Sequence, residues 1–282
     1  MHLFKYADAF STEPYNSLKR SFWLLLGVGL RILRVFLLLV ISVHLFACSK
    51  DSSKSSPQAY VSQNDWRKEF PQHWWQEVPR EEAKSWEILP QDAGFREVIL
   101  SKRNELGLLS NFADTSFVFH GVCYPSVEGF WQMMKYPEGA DDIRWSWSSK
   151  WKWTRAQVSL MNGYDAKKAG NYINYLMDQN DANWVTFMGQ KLIFASMEPG
   201  DHYQLILKAL IEKVRQNPEV RDILLRTRDL KLVADHRISS KAPREWHYNL
   251  LWMDIRRSLL DETLSLESSE DLSLKTCRAQ RF

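Results

Sequence analysis

The sequence predicts an α+β fold that is mainly helical and includes a few short strands. Short apolar runs rich in β-branched and aromatic residues, each next to turn-forming residues, predict strands at 96–100, 117–119, 122–124 and 230–233. After Tyr136, apolar residues recur mostly at helical spacing. A few short strands beside many helical segments are typical of an α+β domain.

The composition is that of a globular protein. The chain has 282 residues, of which 45% are hydrophobic and 25% are charged, so it can bury a packed core in one large domain or two small ones. Its net charge of +3 argues against an extended nucleic-acid-binding surface, but not against a local basic groove. Most of the 13 tryptophans are expected in the core, and some could line a pocket for a flat ring.

Residues 1–48 carry the features of a signal peptide or membrane anchor. The segment 22–47 is almost wholly apolar and ends just before Cys48, in a sequence that resembles the lipobox at which bacterial lipoproteins are lipidated. The alternatives are an uncleaved anchor, long enough to cross ~30 Å of hydrocarbon, and a buried core helix. Lys19 and Arg20 favour a cytoplasmic N-terminus. We therefore expect an exported domain anchored to the membrane of a bacterial cell envelope.

The rest of the chain divides by composition and periodicity. The predicted divisions are a flexible tether at 49–60, an aromatic-rich extension packing on the domain at 61–95, the domain at 96–262 and a disordered tail at 263–282. Within the domain, Ser126 is a natural N-cap for a helix. Further helical segments are predicted at 163–177, 184–194, 202–215, 217–227 and 246–260.

One side of the helix after Ser126 carries a carboxylate, an amide and an amine. Glu128, Gln132 and Lys135 are spaced i, i+4 and i+7, and at about 100° per residue they point in nearly the same direction. Trp131 lies beside them. A Glu and a Lys that face one cleft with aromatic walls suit acid–base or covalent chemistry on a sugar–base bond. The alternative is a solvated helix face with a weak ion pair.

Three sequence blocks around this helix resemble the YbiA-like (NADAR, NAD and ADP-ribose) family. They are Leu-Ser-Asn-Phe at 109–112, Phe-His-Gly at 119–121 and Tyr-Pro-Ser-Val-Glu-Gly-Phe-Trp-Gln-Met-Met-Lys-Tyr at 124–136. The family pattern there is roughly S-N-F, then D-G, then [YW]-P-[ST]-x-E-H-x-[YF]-Q-A-x-K-[FY]. Weaker similarities follow in order at 166–170, 209–214, 230–233 and 252–256, so the resemblance covers about residues 97–260.

The resemblance implies a mainly helical α+β domain with N-glycosidase activity. Members of the family cleave C–N bonds between ribose and a base, in a ribosylamino-pyrimidine and in ADP-ribosylated guanine. Glu128 would be the acid/base, and Lys135 the amine that attacks the anomeric carbon or stabilises the sugar. The residues predicted to bind substrate are Ser110, Asn111, Phe112, Trp131, Gln132 and Trp246. The expected partners are a small ribosyl or ADP-ribosyl substrate and the membrane, with no cofactor.

The sequence also departs from the family pattern. Gly129 replaces a His, Met133 replaces a small residue, and the loop 244–249 lacks the glycines by which a backbone approaches a phosphate. The segment 145–153 looks like an insertion, and its four tryptophans either pack in the core or near a membrane, or form a base-stacking wall. The alternative function is therefore a catalytically inactive YbiA-like module that binds a nucleotide-like ligand or an envelope protein.

The remaining histidines and cysteines give weaker expectations. The histidines are scattered, without the spacing of metal ligands, and no metal site is predicted. The Asp-His pair at 235–236 could reach the cleft, because it follows a predicted strand. Cys123 is either a small buried hydrophobic residue or, in an exported protein, the disulfide partner of Cys277.

Overall fold

The computed structural model describes residues 65–194, 196–267 and 277. The predicted signal or anchor at 1–48, with Cys48, and the tether at 49–60 lie outside the described residues. Contacts divide the chain into two units, of which Tyr60–Phe282 contains every described residue. Within the described residues, no helix combines the length and apolarity that crossing a bilayer requires.

The described part of the chain is an α+β fold, as the sequence predicts. Its helices are α1 Val127–Met133, α2 Arg155–Ser159, α3 Gly163–Gln179, α4 Asp201–Gln216, α5 Pro218–Arg226 and α6 Tyr248–Leu260. Its strands are β1 Glu97–Ile99, β2 Phe117–Phe119, β3 Val122–Tyr124, β4 Trp184–Phe187, β5 Gln190–Ile193 and β6 Lys231–Val233.

The six strands form three separate pairs. β1 and β6 pair in parallel, with Val98 opposite Leu232, although these two residues are 134 positions apart in the sequence. β2 and β3 form an antiparallel hairpin, and β4 and β5 form another. Both residues of the β2–β3 turn, His120 and Gly121, have positive φ, which suits the right-handed twist of a tight hairpin.

The prediction of a helix at 184–194 is wrong, because this segment is the β4–β5 hairpin. Burial alternates along Trp184–Phe187, which is the period of a half-buried strand rather than of a helix. Met188 and Gly189 both take positive φ at the turn, a conformation that ends any helix and that glycine adopts without strain.

The aromatic-rich segment before β1 folds onto the main core. It forms four short 3-10 helices, at Asp65–Glu69, Gln72–Trp75, Arg80–Glu82 and Pro90–Asp92. Trp74 is fully buried, and the indole N–H of Trp75 donates to the carbonyl of Glu97 in β1 at 2.9 Å. These indoles join the same hydrophobic cluster as the domain's helices.

Helix α1 lies at the centre of the core, and all seven of its residues are buried. Ser126 caps it as predicted, because its hydroxyl accepts the backbone N–H of Gly129 at 3.0 Å. A Cβ at position 129 would lie 2.2 Å from the carbonyl oxygen of Met161. The close approach of α1 to the α2–α3 connection therefore requires glycine at this position, and a histidine would not fit.

The structure pairs Cys123 with Cys277 in a disulfide, with the two Cα atoms 5.3 Å apart. This is the second of the two roles expected for Cys123, and it fixes Cys277 beside strand β3.

Candidate active site

A cavity of about 370 Å³ opens between α1, α3, the segment before β2 and the residues that follow β6. Glu128 and Lys135 both line it. So do the six residues predicted to bind substrate, Ser110, Asn111, Phe112, Trp131, Gln132 and Trp246. The structure therefore brings together residues that are separated by up to 136 positions in the sequence, while Cys48 lies outside the described residues.

The three polar side chains of the predicted constellation are almost fully buried at the cavity wall. Glu128, Gln132 and Lys135 are 5%, 3% and 2% exposed. The amide nitrogen of Gln132 donates to Oε1 of Glu128 at 2.8 Å, and Nζ of Lys135 donates to Oδ1 of Asn174 on α3 at 2.7 Å. The same Nζ lies 4.7 Å from the centre of the Phe194 ring. This is not the solvated helix face of the alternative interpretation.

Helix α1 ends at Met133, so it is shorter than the helix expected to carry Glu128, Gln132 and Lys135 on one side. Lys135 and Tyr136 continue it with tighter bonds, from Lys135 N to the Gln132 carbonyl at 3.2 Å and from Tyr136 N to the Met133 carbonyl at 3.0 Å. The chain turns in the same sense through this last turn, so Lys135 still faces the cavity.

Burial raises the pKa of Glu128 above its usual range. Lys167, the hydrogen bond from Gln132, and Lys135 oppose this shift, because each favours the ionised carboxylate. The net direction favours the neutral carboxylic acid, which is the form that can donate a proton.

Burial, reinforced by the positive charge of Lys167, lowers the pKa of Lys135 to about 7. Glu128 and Asp178 oppose this shift. A large fraction of Lys135 is therefore an uncharged amine near neutral pH, and this is the nucleophilic form.

A buried lysine forms hydrogen bonds to the segment that carries Ser110, Asn111 and Phe112. Lys213 on α4 is fully buried and donates from Nζ to the carbonyls of Leu108 at 2.8 Å and of Ser110 at 3.1 Å. The carbonyl of Asn111 accepts the backbone N–H of Glu128 at 2.9 Å, which ties this segment to the start of α1. The side-chain oxygen of Asn111 has no hydrogen-bond partner among the described residues.

The cavity also contains two cations that the sequence analysis missed, Lys102 and Lys167. Lys167 belongs to the weak family similarity at 166–170, which was the only sequence signal for it. Lys102 lies in a turn after β1. Nothing in the neighbouring sequence indicated its place in the cavity, because its carboxylate partner is Asp235, 133 residues away. Lys102 is paired with Asp235, so it is the charge of Lys167 that suits this cavity to an anionic ligand.

The Asp-His pair at 235–236 does reach the cavity. His236 lines it, and the buried Asp235 lies behind the imidazole. Although burial alone would raise the pKa of Asp235, the hydrogen bond from His236 and the charge of Lys102 hold it below the usual range.

The glycine-free loop before α6 lies against the cavity. It contains a 3-10 turn at Arg244–Trp246, and the half-exposed Trp246 lines the opening, 6.4 Å from Phe194 between ring centres. Glu245 is buried and pairs with Nδ1 of His202 at 2.8 Å. The His202 ring also packs edge-on against Trp131 at 5.3 Å. The loop is therefore fixed to the N-terminal end of α4, with Trp246 beside the cavity.

The tryptophans of the segment 145–153 do not line this cavity. Trp147, Trp151 and Trp153 pack against the core, and Trp145 is half exposed. The structure thus favours packing over a base-stacking wall for this segment. Among the described residues, no group of His, Cys, Asp and Glu side chains is arranged to hold a metal ion.

No protein-family model matches the sequence, and no curated protein matches it. Among solved structures, the NMR structure of the E. coli protein YbiA matches with 19% sequence identity and a TM-score of 0.39. The match covers 63% of this chain and 94% of that one. YbiA gives its name to the family that the motifs resemble, and at this identity and TM-score the likeness is remote.

Proposed function

We propose that this protein is an N-glycosidase that hydrolyses the C–N bond between ribose and a nucleobase-like group in an ADP-ribosyl or ribosylamino substrate. The motif blocks at 109–112 and 124–136 support the reaction class through their resemblance to the YbiA-like family. The cavity supports it independently, because the residues of both blocks line one concave site of a size that suits a small molecule.

The observation that carries the proposal is the buried pair of Glu128 and Lys135. Burial shifts the pKa of both groups toward their uncharged forms, which favours a carboxylic acid and a neutral amine side by side in one cavity. Cleavage of a glycosidic C–N bond needs both a proton for the leaving nitrogen and a group that meets the developing charge at the anomeric carbon.

The two groups divide the first step between them. The lone pair of Lys135 Nζ attacks C1 of the ribose, and the C1–N bond to the base breaks. The electron pair of that bond goes to the base nitrogen, which takes the proton of Glu128 when the attached base is uncharged. The products are then the released base, a Glu128 carboxylate and a sugar joined through C1 to the protonated nitrogen of Lys135. The nicotinamide of NAD carries a positive charge while attached and leaves as a neutral molecule without this proton.

The walls of the cavity suit the two halves of such a substrate. Phe112, Trp131 and Trp246 offer flat faces for a base, and aromatic stacking is worth about 1–3 kcal/mol per base. Lys167 offers positive charge for the phosphate of the substrate.

The test is release of the base by the full chain. The protein would be incubated separately with NAD, ADP-ribosylated guanosine and a ribosylamino-pyrimidine phosphate, and the released base followed by mass spectrometry. We expect release from at least one substrate. Lys135→Ala should lose about 10²–10⁴-fold with every substrate that is cleaved, and Glu128→Gln should lose as much with the two substrates whose attached base is uncharged. Glu198→Gln and Lys168→Ala are matched controls, because both residues are exposed and neither lines the cavity. The proposal would be contradicted if Glu128→Gln released product from ADP-ribosylated guanosine or the ribosylamino-pyrimidine phosphate as fast as the unsubstituted chain.

The alternative is a catalytically inactive module that binds a nucleotide-like ligand or an envelope protein. It is favoured by the glycine-free loop 244–249, which the buried His202–Glu245 pair fixes in one position. Under this alternative, one of the three substrates would bind tightly and none would release a base.

We also propose that the domain is exported and anchored at the bacterial membrane through residues 1–48, either by lipidation of Cys48 or by an uncleaved anchor. The disulfide between Cys123 and Cys277 supports export, since disulfides persist in oxidising compartments. Labelling with a radioactive fatty acid separates the two anchors, because a lipoprotein incorporates label that Cys48→Ala abolishes. Fractionation of the protein with the soluble cytoplasm would contradict both.

A further inference from the structure

The cavity holds a second set of chemically capable groups, at the end of strand β6. His236 lines the cavity, and its Nδ1 lies 2.9 Å from Oδ1 of Asp235, which is 2% exposed. Because an ionised carboxylate only accepts hydrogen bonds, Nδ1 carries a proton, and in the neutral imidazole Nε2 is then the acceptor. The hydrogen bond that the described residues give to the His236 ring is the one between Nδ1 and Asp235.

The position of the imidazole is fixed from several directions. Its ring stacks on Tyr248 with centres 6.0 Å apart and an angle of 15°, and the hydroxyl of Tyr248 donates to Oδ1 of Asp235 at 3.2 Å. Lys102 donates from Nζ to the other carboxylate oxygen. The backbone is held as well, because the carbonyl of Asp235 accepts the N–H of Ile88 at 2.8 Å.

We propose that His236, oriented by Asp235, is the general base that activates water in the second half of the glycosidase reaction. This inference rests on the proposed function and adds a catalytic residue to it. A carboxylate behind an imidazole fixes its tautomer and stabilises the charged form that appears when the imidazole takes a proton. Lys102 and Tyr248 keep that carboxylate in place.

The step balances with the groups present. A water oxygen attacks C1 of the sugar that is bonded to the protonated nitrogen of Lys135, and the water proton goes to Nε2 of His236. The C1–Nζ bond breaks and its electron pair stays on Nζ, so Lys135 returns to its neutral amine. The proton on His236 then passes through solvent to the Glu128 carboxylate, which restores both groups.

Burial explains why His236 rather than Glu128 meets the water. The side chain of His236 is 42% exposed, whereas Glu128 and Lys135 are 5% and 2% exposed as residues. Water thus reaches the imidazole directly from solvent. Glu128 lies on α1, where its Oε1 already accepts the amide of Gln132.

The experiment separates the two halves of the reaction in the full chain. His236→Ala would be mixed with each of the three substrates named above, and released base would be counted per protein molecule. A sugar bonded through C1 to Lys135 can open its ring to a Schiff base, so samples would be treated with cyanoborohydride, which reduces that C=N bond, and peptide mass spectrometry would locate the reduced sugar on Lys135. His73→Ala is the matched control, because His73 also pairs with a carboxylate, Glu105 at 2.8 Å, but lies outside the cavity.

The expected result for His236→Ala is a burst of about one base per protein, at least a tenfold slower steady release, and sugar on Lys135. Added imidazole should restore the steady rate, since a small base can enter beside an exposed side chain, whereas a structural defect would not respond. Steady release equal to that of the unsubstituted chain, or slow release without sugar on Lys135 and without rescue, would overturn the role of His236. If the unsubstituted chain releases no base from any substrate, the proposed function itself fails and this inference falls with it.

Discussion

The chemistry of the candidate site depends on how a few charges share one buried space. Lys167 lies at the rim of the cavity and acts on both proposed catalytic groups, because its charge lowers the pKa of Lys135 and also lowers that of Glu128. Lys135 must be deprotonated and Glu128 protonated in the proposed first step. The pH range of activity should therefore be set by the pair together.

Removing the charge of Lys167 should move the whole pH profile of base release to higher pH. When a neighbouring positive charge is lost, the pKa of Lys135 rises, so the limb on which activity increases with pH moves to higher pH. The pKa of Glu128 rises as well, so the limb on which activity decreases also moves to higher pH. We expect shifts of about 0.5–1 pH unit in Lys167→Met. The measurement is the pH dependence of base release, with Lys168→Met as the control. A profile that stays in place would show that Lys167 does not act on the pair.

Lys213 is a second buried lysine, and it makes stability depend on pH. Burial lowers its pKa to about 7, whereas in the unfolded chain it titrates near 10.5. Between these values the unfolded chain binds the extra proton, so this lysine makes the folded state gain stability as pH rises from about 7 to 10. The gain cannot exceed about 1.4 kcal/mol per pH unit. Below pH 7 both states are protonated, and this contribution is constant.

We expect Lys213→Met to flatten the rise in stability between pH 7 and 10. The measurement is the free energy of unfolding from denaturant titrations at several pH values. Lys208→Met is the matched control, because Lys208 is exposed on the same helix. If the slope of Lys213→Met equals that of the unsubstituted chain, Lys213 is charged in the folded state.

At the scale of elements, helix α1 determines where Glu128 and Lys135 lie. The sequence predicted this helix, its N-cap at Ser126 and the common direction of Glu128 and Lys135, because those features depend on nearest neighbours along the chain. It did not predict the early end at Met133, nor the hairpin of β4 and β5. Over so short a segment, the apolar residues of that hairpin fit the period of a helix as well as that of a strand. Only the turn at 188–189 distinguishes the two structures.

Gly129→Ala tests the close packing of α1. Alanine favours a helix over glycine by about 0.5–1 kcal/mol, but here its Cβ would meet the Met161 carbonyl at 2.2 Å. Backbone must then move, and we expect a net loss of about 1–3 kcal/mol in the free energy of unfolding. Gly139→Ala is the control, since no atom lies within 4 Å of the Cβ it would add. Equal stability of the two variants would mean that α1 packs more loosely than described.

At the scale of the whole molecule, the cavity is assembled from segments that are far apart in sequence. Asn111, Glu128, His236 and Trp246 line it together, although neither Lys102 nor the fixed position of the 244–249 loop could be predicted. Both depend on partners at long range, Lys102 on Asp235 and Glu245 on His202. A single sequence shows periodicity and local motifs, but it does not show which distant side chains meet.

The most direct test of the account is base release by Glu128→Gln. This substitution keeps the shape of the side chain and removes its acidic proton. Mass spectrometry should show release from ADP-ribosylated guanosine or the ribosylamino-pyrimidine phosphate by the unsubstituted chain and by Glu198→Gln, and at least 10²-fold less by Glu128→Gln. Equal release by Glu128→Gln, or none by the unsubstituted chain from any substrate, would contradict the assignment of this cavity as a glycosidase site.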